Sequence, residues 1–502
     1  MSLLRHALFM GRPSSLPRPP ALLGIAVRLV LLIGSLILAV AGGVDALNPI
    51  VIKGHKLFDG VTGEEFFVKG VAYQPRGTTK FVDPLANEAG CQRDVPLLKE
   101  MNVNTIRVYQ VDNDANHDAC MKLLSSAGIY LLLDLPTATR SINRLEPAYD
   151  HTLLGHYKKT ADAFLQYDNM LGFIAGNEVT NEVKTTSASA FVKAALRDIK
   201  HYIRQRGAGG RTLPVGYASN DDPSIRMELL NYFNCGEPGE RADFYGVNLY
   251  EWCGTKATFE TSGYKDRHDE FLQYSIPIIL TEFGCNLSMP RTFGEVEAIF
   301  GPQMTDVLSG GIAYEFSNEE NNYGLVQIVN EKQVAKMQDF HNLKTAYAAV
   351  RPVGVKMKSL KESRPASQCP ATTAGWHSSH RLPPTPSKEA CRCMVDTLTC
   401  QANAGQLGVA PEEIDQAAGA ALTTLCGQID CRDIGTEAMS GKYGKYSGCS
   451  VVERLSWAYN AAYTSGKQSG ATCNYGGTAQ LSAPKQKEAS CQDVLRSAQV
   501  HS

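Results

Sequence analysis

The sequence predicts an α/β protein built on a (β/α)8 barrel and followed by a small, disulfide-rich, mainly helical module. Three observations carry this reading. Eight short apolar runs recur between residues 66 and 316, separated by amphipathic stretches. Polar residues gather at the C-terminal ends of those runs. Cysteine density then shifts: five lie between Cys91 and Cys285, then comes Cys369, then eight between Cys391 and Cys491.

The runs are FFVKGVAY (66–73), NTIRVYQV (104–111), IYLLLDL (129–135), MLGFIAGNE (170–178), LPVGYAS (213–219), DFYGVNLY (243–250), PIILTEFG (277–284) and GGIAYEF (310–316). Continuous apolar character suits parallel strands covered on both faces. Stretches such as Cys91–Met101 and Ala188–Gln205 supply helices between them. Eight βα units over roughly 250 residues is the size of a closed barrel. Alternation alone also admits an open, doubly wound sheet. The strand ends favour the barrel, whose chemistry sits at its C-terminal mouth. Gln74 follows the first run, Tyr109 ends the second and Asp134 the third. Asn177 and Glu178 end the fourth; Ser219, Asn220 and Asp221 close the fifth. Asn248, Tyr250 and Glu251 end the sixth, Glu282 the seventh, and Tyr314 and Glu315 the eighth.

Residues 47–350 are thus expected to form the barrel. Residues 351–390, rich in Pro, Ser and Thr, read as a linker. The Cys-dense module spans 391–492, with helical patterns at 415–426 and 451–466, and a polar tail occupies 493–502. Residues 1–46 read as a signal peptide: basic residues precede the apolar run LVLLIGSLILAVA, with cleavage after Ala41 or Ala46. An uncleaved anchor is the rival reading, but a spanning length is reached only by including Arg28.

Formal net charge is −2, and removing residues 1–41, which carry Arg5, Arg12, Arg18 and Arg28 and no acid, leaves about −6. That is no footprint for nucleic acid and suits a neutral substrate. Fourteen cysteines behind an export signal read as disulfides. No spacing matches a zinc pattern, so no metal and no cofactor are expected.

Two carboxylates at the tips of buried strands are the central pair. Glycoside hydrolysis with retention needs one carboxyl to protonate the leaving oxygen and another to attack the anomeric carbon. Glu178 and Glu282 can meet at a barrel mouth, with Asn177 beside Glu178 to bond a sugar hydroxyl. The competing reading makes each Glu a helix cap or the partner of an arginine such as Arg107. Aromatic residues crowd the same strand ends: Tyr73, Tyr109, Tyr250, Trp252, Tyr314, Phe316 and Tyr323. Aromatic faces pack on sugar C–H faces, and a Tyr hydroxyl near Glu282 lowers its pKa. About half of these aromatics are expected to be ordinary packing.

YQP (73–75), NTIRVYQVD (104–112), IAGNEVTN (174–181), FYGVNLYEWCG (244–254), TEFGCN (281–286) and AYEFSNEENNYGL (313–325) resemble the fungal β-1,3-glucanosyltransferases, glycoside hydrolase family 72. The Cys-rich module resembles the X8 domain, carbohydrate-binding module family 43. The resemblance implies a retaining double displacement on β-1,3-glucan donor and acceptor chains, with Glu282 as nucleophile and Glu178 as acid/base. It implies subsites lined by Gln74, Tyr109, Asp134, Asn177, Asn220, Asp221, Tyr250, Tyr314 and Tyr323. It also implies the bridges Cys91–Cys120, Cys235–Cys369, Cys253–Cys285, Cys391–Cys449, Cys393–Cys491, Cys400–Cys473 and Cys426–Cys431, of which Cys235–Cys369 would tie the linker 351–390 back onto the barrel.

Where the family pattern leads to an acidic loop after Asp134, this sequence has PTATRSINR. Asn286-Leu287-Ser288 is an N-glycosylation sequon just past the seventh run. Family members commonly end in a Ser-rich region and a lipid-anchor signal, whereas DVLRSAQVHS has no apolar tail. The expectation is a monomer, secreted or held at the cell wall or surface, with membrane attachment left open. A β-glucan hydrolase on the same barrel and a non-catalytic wall-binding protein are the alternatives.

Overall fold

Alternation along each apolar run decides which side chains look into the barrel and which meet the helices. The structure is a computed structural model that describes residues 46–75, 81–207, 212–361, 364–408, 410–466 and 473–500. The segment read as a signal peptide, residues 1–46, lies outside that set except for Ala46.

Eight parallel strands close into a barrel: β1 (Val68–Ala72), β2 (Thr105–Val108), β3 (Tyr130–Asp134), β4 (Met170–Asn177), β5 (Val215–Ser219), β6 (Tyr245–Leu249), β7 (Ile278–Phe283) and β8 (Leu308–Ala313), with β8 pairing back onto β1. Each run of the sequence contributes one strand, and the closed sheet excludes the open alternative. Helices follow in turn: α1 (Glu88–Glu100), α2 (Asp118–Ser126), α3 (His151–Phe164), α4 (Ala188–Arg206), α5 (Arg226–Phe233), α6 (Tyr264–Phe271), α7 (Glu295–Ile299) and α8 (Gln338–Ala349). α1 begins behind Asn87, whose side chain accepts from Gly90 N, and α3 behind Asp150, which accepts from Thr152 N and Leu153 N. α4 ends at Gly207, whose φ of 53° closes the helix in the left-handed region.

Val71, Ile106, Val108, Leu131 and Leu133 pack outward in the main core beneath the helices, while Val68, Ala72, Tyr130, Leu132, Ile174, Ala218, Ile279 and Ile312 form an inner cluster. An N-terminal hairpin, Ile50–Lys53 with Lys56–Asp59, adds Ile50 and Leu57 to that inner cluster. At Gly310, in β8, φ is +94° and a Cβ would lie 2.2 Å from the Val68 carbonyl oxygen. Only glycine permits that backbone approach at the barrel seam.

The Pro/Ser/Thr-rich stretch 351–390 is more ordered than its composition suggests. Trp376 is 1% exposed and packs 5.2 Å from the Tyr232 ring. Ser378 Oγ donates to the Thr186 carbonyl, Tyr232 donates to the Ser379 carbonyl, and Thr385 Oγ1 donates to Asp198. Cys369 is bridged to Cys235. One buried aromatic and one disulfide turn a linker composition into a strap along α4 and α5.

The C-terminal module holds α9 (Lys388–Asp396), α10 (Pro411–Cys426), α11 (Val451–Thr464) and α12 (Cys491–Val500), so the tail continues as helix through Val500. Ser450 and Glu453 form a capping box at the start of α11. Its own core gathers Met394, Leu398, Leu455, Ala458 and Tyr459. The bridges Cys391–Cys449, Cys393–Cys491, Cys400–Cys473 and Cys426–Cys431 staple it, while Cys91–Cys120 and Cys253–Cys285 lie in the barrel. Small cores commonly need such staples. Among the described residues no helix is long and apolar enough to cross a membrane.

The strap generates a prediction. Replacing Cys235 and Cys369 together by Ser should lower stability by about 2–5 kcal/mol, because the bridge closes a long loop. Calorimetry should show the loss, and limited proteolysis should first cut within 351–390. An unchanged melting temperature would mean that Trp376 packing alone holds the strap.

Candidate active site

A charged residue in the middle of an apolar run must find partners inside the barrel. Arg107, on β2, is fully buried. Its Nε and Nη2 donate to Asp134 at 3.0 and 2.8 Å, Nη2 also reaches Asn177 Oδ1 at 2.9 Å, and Nη1 reaches Glu282 Oε1 at 3.1 Å and the Thr281 carbonyl at 3.3 Å. Four barrel strands therefore converge on one guanidinium. Burial opposes its charge, but Asp134, Tyr109 and Glu282 raise its pKa overall.

Glu282 stands at the end of β7 and is 8% exposed. Tyr109 donates to its Oε1 at 2.9 Å and Tyr250 to its Oε2 at 2.7 Å. Burial pushes the Glu282 pKa up; Arg107 pulls it down, the Glu178 charge pushes it up, and the two hydroxyls pull it down. The outcome is a raised value, so the lowering expected from a nearby tyrosine is present but outweighed by burial. Burial also drives both phenols well above their ordinary value, which keeps Tyr109 and Tyr250 protonated as donors.

Glu178 follows β4 at φ 46°, a left-handed conformation uncommon for a non-glycine residue. Its N–H remains tied to the Ala218 carbonyl at 2.9 Å, which fixes the strained residue to β5. Asn248, on β6, donates to Glu178 Oε1 at 2.8 Å and to Asn177 Oδ1 at 3.1 Å. Thr281 Oγ1 donates to Asn248 Oδ1 at 2.8 Å, orienting that amide, and Asn248 faces Glu282 in the β6–β7 register. The two carboxylates are thus coupled through a single asparagine and the sheet beneath it.

A cleft of about 660 Å³ opens over this pair. Tyr109, Asp134, Asn177, Glu178, Glu282 and Tyr314 line it, together with Ser141, Asn143 and Arg144 from the loop after β3. Tyr314 and Tyr323 stand 5.3 Å apart, and Tyr250 lies 6.4 Å from Tyr314 and 5.6 Å from Tyr323, all edge-on. Tyr109 meets Tyr314 at 6.3 Å. These four form one aromatic rim around Glu282. The other three rim aromatics pack: Tyr73 is buried and donates to Asp94, Phe316 lies 5.2 Å from Tyr73, and Trp252 lies 5.2 Å from Tyr264.

Five expected subsite residues are not among those lining the cleft: Tyr250 and Tyr323 pack against Tyr314, and the other three are engaged elsewhere. Gln74 is 1% exposed; its Oε1 accepts from Tyr109 N and Gln110 N, and its Nε2 donates to the Val82 carbonyl, so it braces the chain under Tyr109. Asn220 Nδ2 donates to the Asn181 carbonyl. Asp221 is ion-paired with Arg267 at 2.7 Å; burial raises its pKa to about 6 despite that partner. Both border a separate small recess with Arg226 and Glu270. A polar residue at a strand end can serve the neighbouring helix instead of the mouth, and the sequence does not distinguish the two. Asn286 Nδ2, the sequon amide, donates to the Asn321 carbonyl at 2.9 Å.

The sequence reading gave Arg107 only as a rival partner for a glutamate, and the structure makes that pairing part of the site. Asn248 it placed at a strand end without a role. The signal for Arg107 is its position inside an apolar run; that for Asn248 is its address on the strand beside Glu282.

Fold and site together define a barrel enzyme of the glycoside-processing class, with paired carboxylates at the C-terminal mouth. A family model described as glucanosyltransferase, glycoside hydrolase family 72, matches residues 39–351, and one described as X8 domain matches 408–480. The protein EPD1 of Candida maltosa is 42% identical over 460 residues, covering 91% of this chain and 82% of that protein. The 1,3-beta-glucanosyltransferase of Arthroderma benhamiae is 42% identical over 486 residues, covering 91% and 87%. The structure of a Glu-to-Gln variant of Saccharomyces cerevisiae Gas2p in complex with laminaritetraose and laminaripentaose aligns with a TM-score of 0.81 at 39% identity, covering 91% of this chain and all of that one. The chain belongs to the glucanosyltransferase family.

The tyrosine donors predict a pH effect. Tyr250→Phe removes a donor that stabilises only the ionised Glu282, so Glu282 should hold its proton to higher pH. The acid limb of kcat/KM should move up by about one pH unit, the equivalent of one hydrogen bond to a charged group. A limb that stays put or moves down would show that Tyr250 does not act on Glu282.

Proposed function

We propose that this chain is a cell-wall β-1,3-glucan transglycosylase. It cleaves an internal β-1,3-glucosidic bond and transfers the donor piece to the non-reducing end of another β-1,3-glucan, elongating it with retention at the anomeric carbon. The observation that carries the reading is the Glu178–Glu282 pair in a tyrosine-rimmed cleft, on a barrel of the glucanosyltransferase family. Support for the substrate class comes from the relatives named 1,3-beta-glucanosyltransferase and from the laminari-oligosaccharides bound by Gas2p.

In this reading Glu178 gives its proton to the glycosidic oxygen as the C–O bond breaks. A Glu282 carboxylate oxygen attacks the anomeric carbon and forms a glycosyl ester. Glu178, now ionised, takes the proton of an acceptor hydroxyl, whose oxygen displaces Glu282 and completes the new glycosidic bond. Arg107, Tyr109 and Tyr250 keep the Glu282 carboxylate oriented and accept no proton in either step. Transfer over hydrolysis requires an acceptor sugar to outcompete water. The aromatic rim supports this, because a sugar stacked on Tyr314 presents its hydroxyl at high effective concentration. Asp134 and Asn177 act on the donor side, where the Asn177 amide is fixed because its Oδ1 accepts from both Arg107 and Asn248. Seven disulfides fit an oxidising, exported setting, and a cleaved segment ending at Ala41 or Ala46 would deliver the chain there.

Incubation of the pure protein with reduced laminari-oligosaccharides tests the proposal. Products longer than the substrate are expected. Only shorter products would make it a hydrolase, and no change would make it a binding protein. Glu282→Gln should abolish turnover, and Glu178→Gln should slow it by about 10²–10⁴-fold. Full activity in Glu282→Gln would refute the mechanism.

A further inference from the structure

Glu315 has no part in the reaction above, yet it is a carboxyl buried beside the cleft, 1% exposed. It follows Tyr314 directly at the end of β8. Asn321 Nδ2 donates to its Oε1 at 2.9 Å, and the Tyr314 hydroxyl also hydrogen-bonds it. The rest of the 317–325 loop is built around this pair. Glu315 N donates to the Tyr323 carbonyl at 3.1 Å, Leu325 N to the Glu315 carbonyl at 3.1 Å, and Tyr323 N to Asn321 Oδ1 at 3.3 Å. Gly324 sits where a Cβ would lie 2.1 Å from Asn318 Cα, so the loop closes tightly on itself. The Asn321 carbonyl in turn accepts from Asn286, next to the Cys253–Cys285 bridge of the β7 loop. The hydrogen-bonded chain Glu315–Asn321–Asn286 therefore ties the loop carrying Tyr323 both to β8 and to the segment just past Glu282.

We propose that Glu315 and Asn321 are positioning residues for the acceptor sugar: their hydrogen bond fastens the 317–325 loop so that Tyr323 and Tyr314 stand as a fixed platform beside Glu282. The proposal rests on the transglycosylase reading. It gives the Asn286 side chain a structural use as a loop fastener, in competition with its use as a glycan acceptor.

The charges around Glu315 make the platform sensitive to pH. Glu319 acts on it from its own loop and Glu282 from β7, both negative. The nearby cations are committed elsewhere: Arg107 to Asp134 and Glu282, and Arg291 to Asp339 and to the Tyr314 and Tyr323 carbonyls. Burial, partly offset by the Asn321 bond, and then repulsion from Glu319 and Glu282 push the Glu315 pKa up to about 7. Below that value the carboxyl is neutral and the loop carries no net repulsion at this point. Above it, a buried carboxylate faces two others, and the platform loosens.

The experiment measures elongation of a labelled laminari-oligosaccharide acceptor by a reduced laminaripentaose donor, across about pH 5 to 8, for wild type, Glu315→Ala, Glu315→Gln and Asn321→Ala. Asn321 is exposed, so its replacement reports on the fastener without emptying the core. Glu315→Ala and Asn321→Ala should each raise the acceptor KM about tenfold, the equivalent of one lost buried hydrogen bond, with kcat within about twofold. Wild type should show an acceptor KM that rises above about pH 7, as the buried carboxyl ionises. Glu315→Gln, which mimics the neutral carboxyl, should largely restore the acceptor KM lost in Glu315→Ala and should lack that rise. Elongation by wild type with an acceptor KM unmoved in Glu315→Ala and Asn321→Ala would overturn the positioning role alone, as would a pH rise that persists in Glu315→Gln. No elongation by wild type at all would overturn the transglycosylase reading, and the role with it.

Discussion

The Arg107 guanidinium is the interaction on which the mouth of the barrel depends. A lone buried cation is costly, and one paired with a single carboxylate only partly recovers the cost of desolvation. Here the fork is fully occupied. Asp134 takes a bidentate contact, and Asn177, Glu282 and the Thr281 carbonyl take the remaining donors. The consequence is geometric as much as energetic. β3 and β4 are neighbours in the sheet, and the shared cation on β2 ties their tips across the mouth to β7. The Arg107 guanidinium also lies 4.3 Å from the Tyr109 ring, whose hydroxyl returns to Glu282. The Glu282 carboxylate is thereby held on one oxygen by a cation and a phenol, and on the other by Tyr250.

That arrangement divides two opposing requirements between two glutamates. Glu282 needs to be a carboxylate in a site dry enough to exclude water, and burial raises its pKa for the same reason that it excludes water. Arg107 and two phenols restrain that rise without abolishing it. Glu178 is half-buried, lies outside the arginine network, and its carboxylate accepts from the Asn248 amide. It is the more open of the two to solvent. Its left-handed backbone turns the side chain out of the strand direction at the point where β4 ends. The two glutamates thus stand in different surroundings at one mouth, Glu282 inside the arginine network and Glu178 outside it.

Much of this was legible in the sequence because strands and strand tips leave one-dimensional marks. Eight apolar runs give eight strands, and a carboxylate at the end of a buried strand is out of place unless it is used. Glu178 and Glu282 announce themselves in that way. Partnership leaves no such mark. Asp221 and Asp134 look alike as acids closing apolar runs, yet one is taken up by Arg267 from α6 and the other by Arg107 inside the barrel. Gln74 looks like a sugar ligand and is a backbone brace, because its distance from Tyr109 N is set by β1–β2 register and not by sequence spacing. The strap at 351–390 reads as linker for the same reason. Its anchors are Trp376, Cys369 and a few hydroxyls, too few to change a composition.

The C-terminal module meets the barrel at a place that bears on the cleft. His151, at the start of α3, bonds Glu453 at 2.8 Å through Nε2, and its N–H donates to the Gly448 carbonyl at 3.0 Å. Glu453 is the capping-box acid of α11, so the contact joins the N-termini of two helices through one carboxylate. The hydrogen bond to Glu453 raises the His151 pKa against burial, which favours the charged pair. α3 begins just after Arg144, the last cleft-lining residue of the loop that leaves β3. On α4, Phe191 packs 6.0 Å from Tyr443 of the module. The module is therefore fastened to the two helices that follow β3 and β4, the strands carrying Asp134, Asn177 and Glu178. On the opposite side of the pair, the loops after β7 and β8 are held by a disulfide, by Arg291 and by the Glu315–Asn321 bond. The wall formed at the ends of β3 and β4 is thus braced from outside by a second core. The wall that carries Tyr314 and Tyr323 is braced from within the barrel domain, by the Cys253–Cys285 bridge, Arg291 and the Asn286–Asn321 bond. An enzyme that must hold one glycosyl unit while exchanging water, leaving chain and acceptor at the other side gains from that asymmetry.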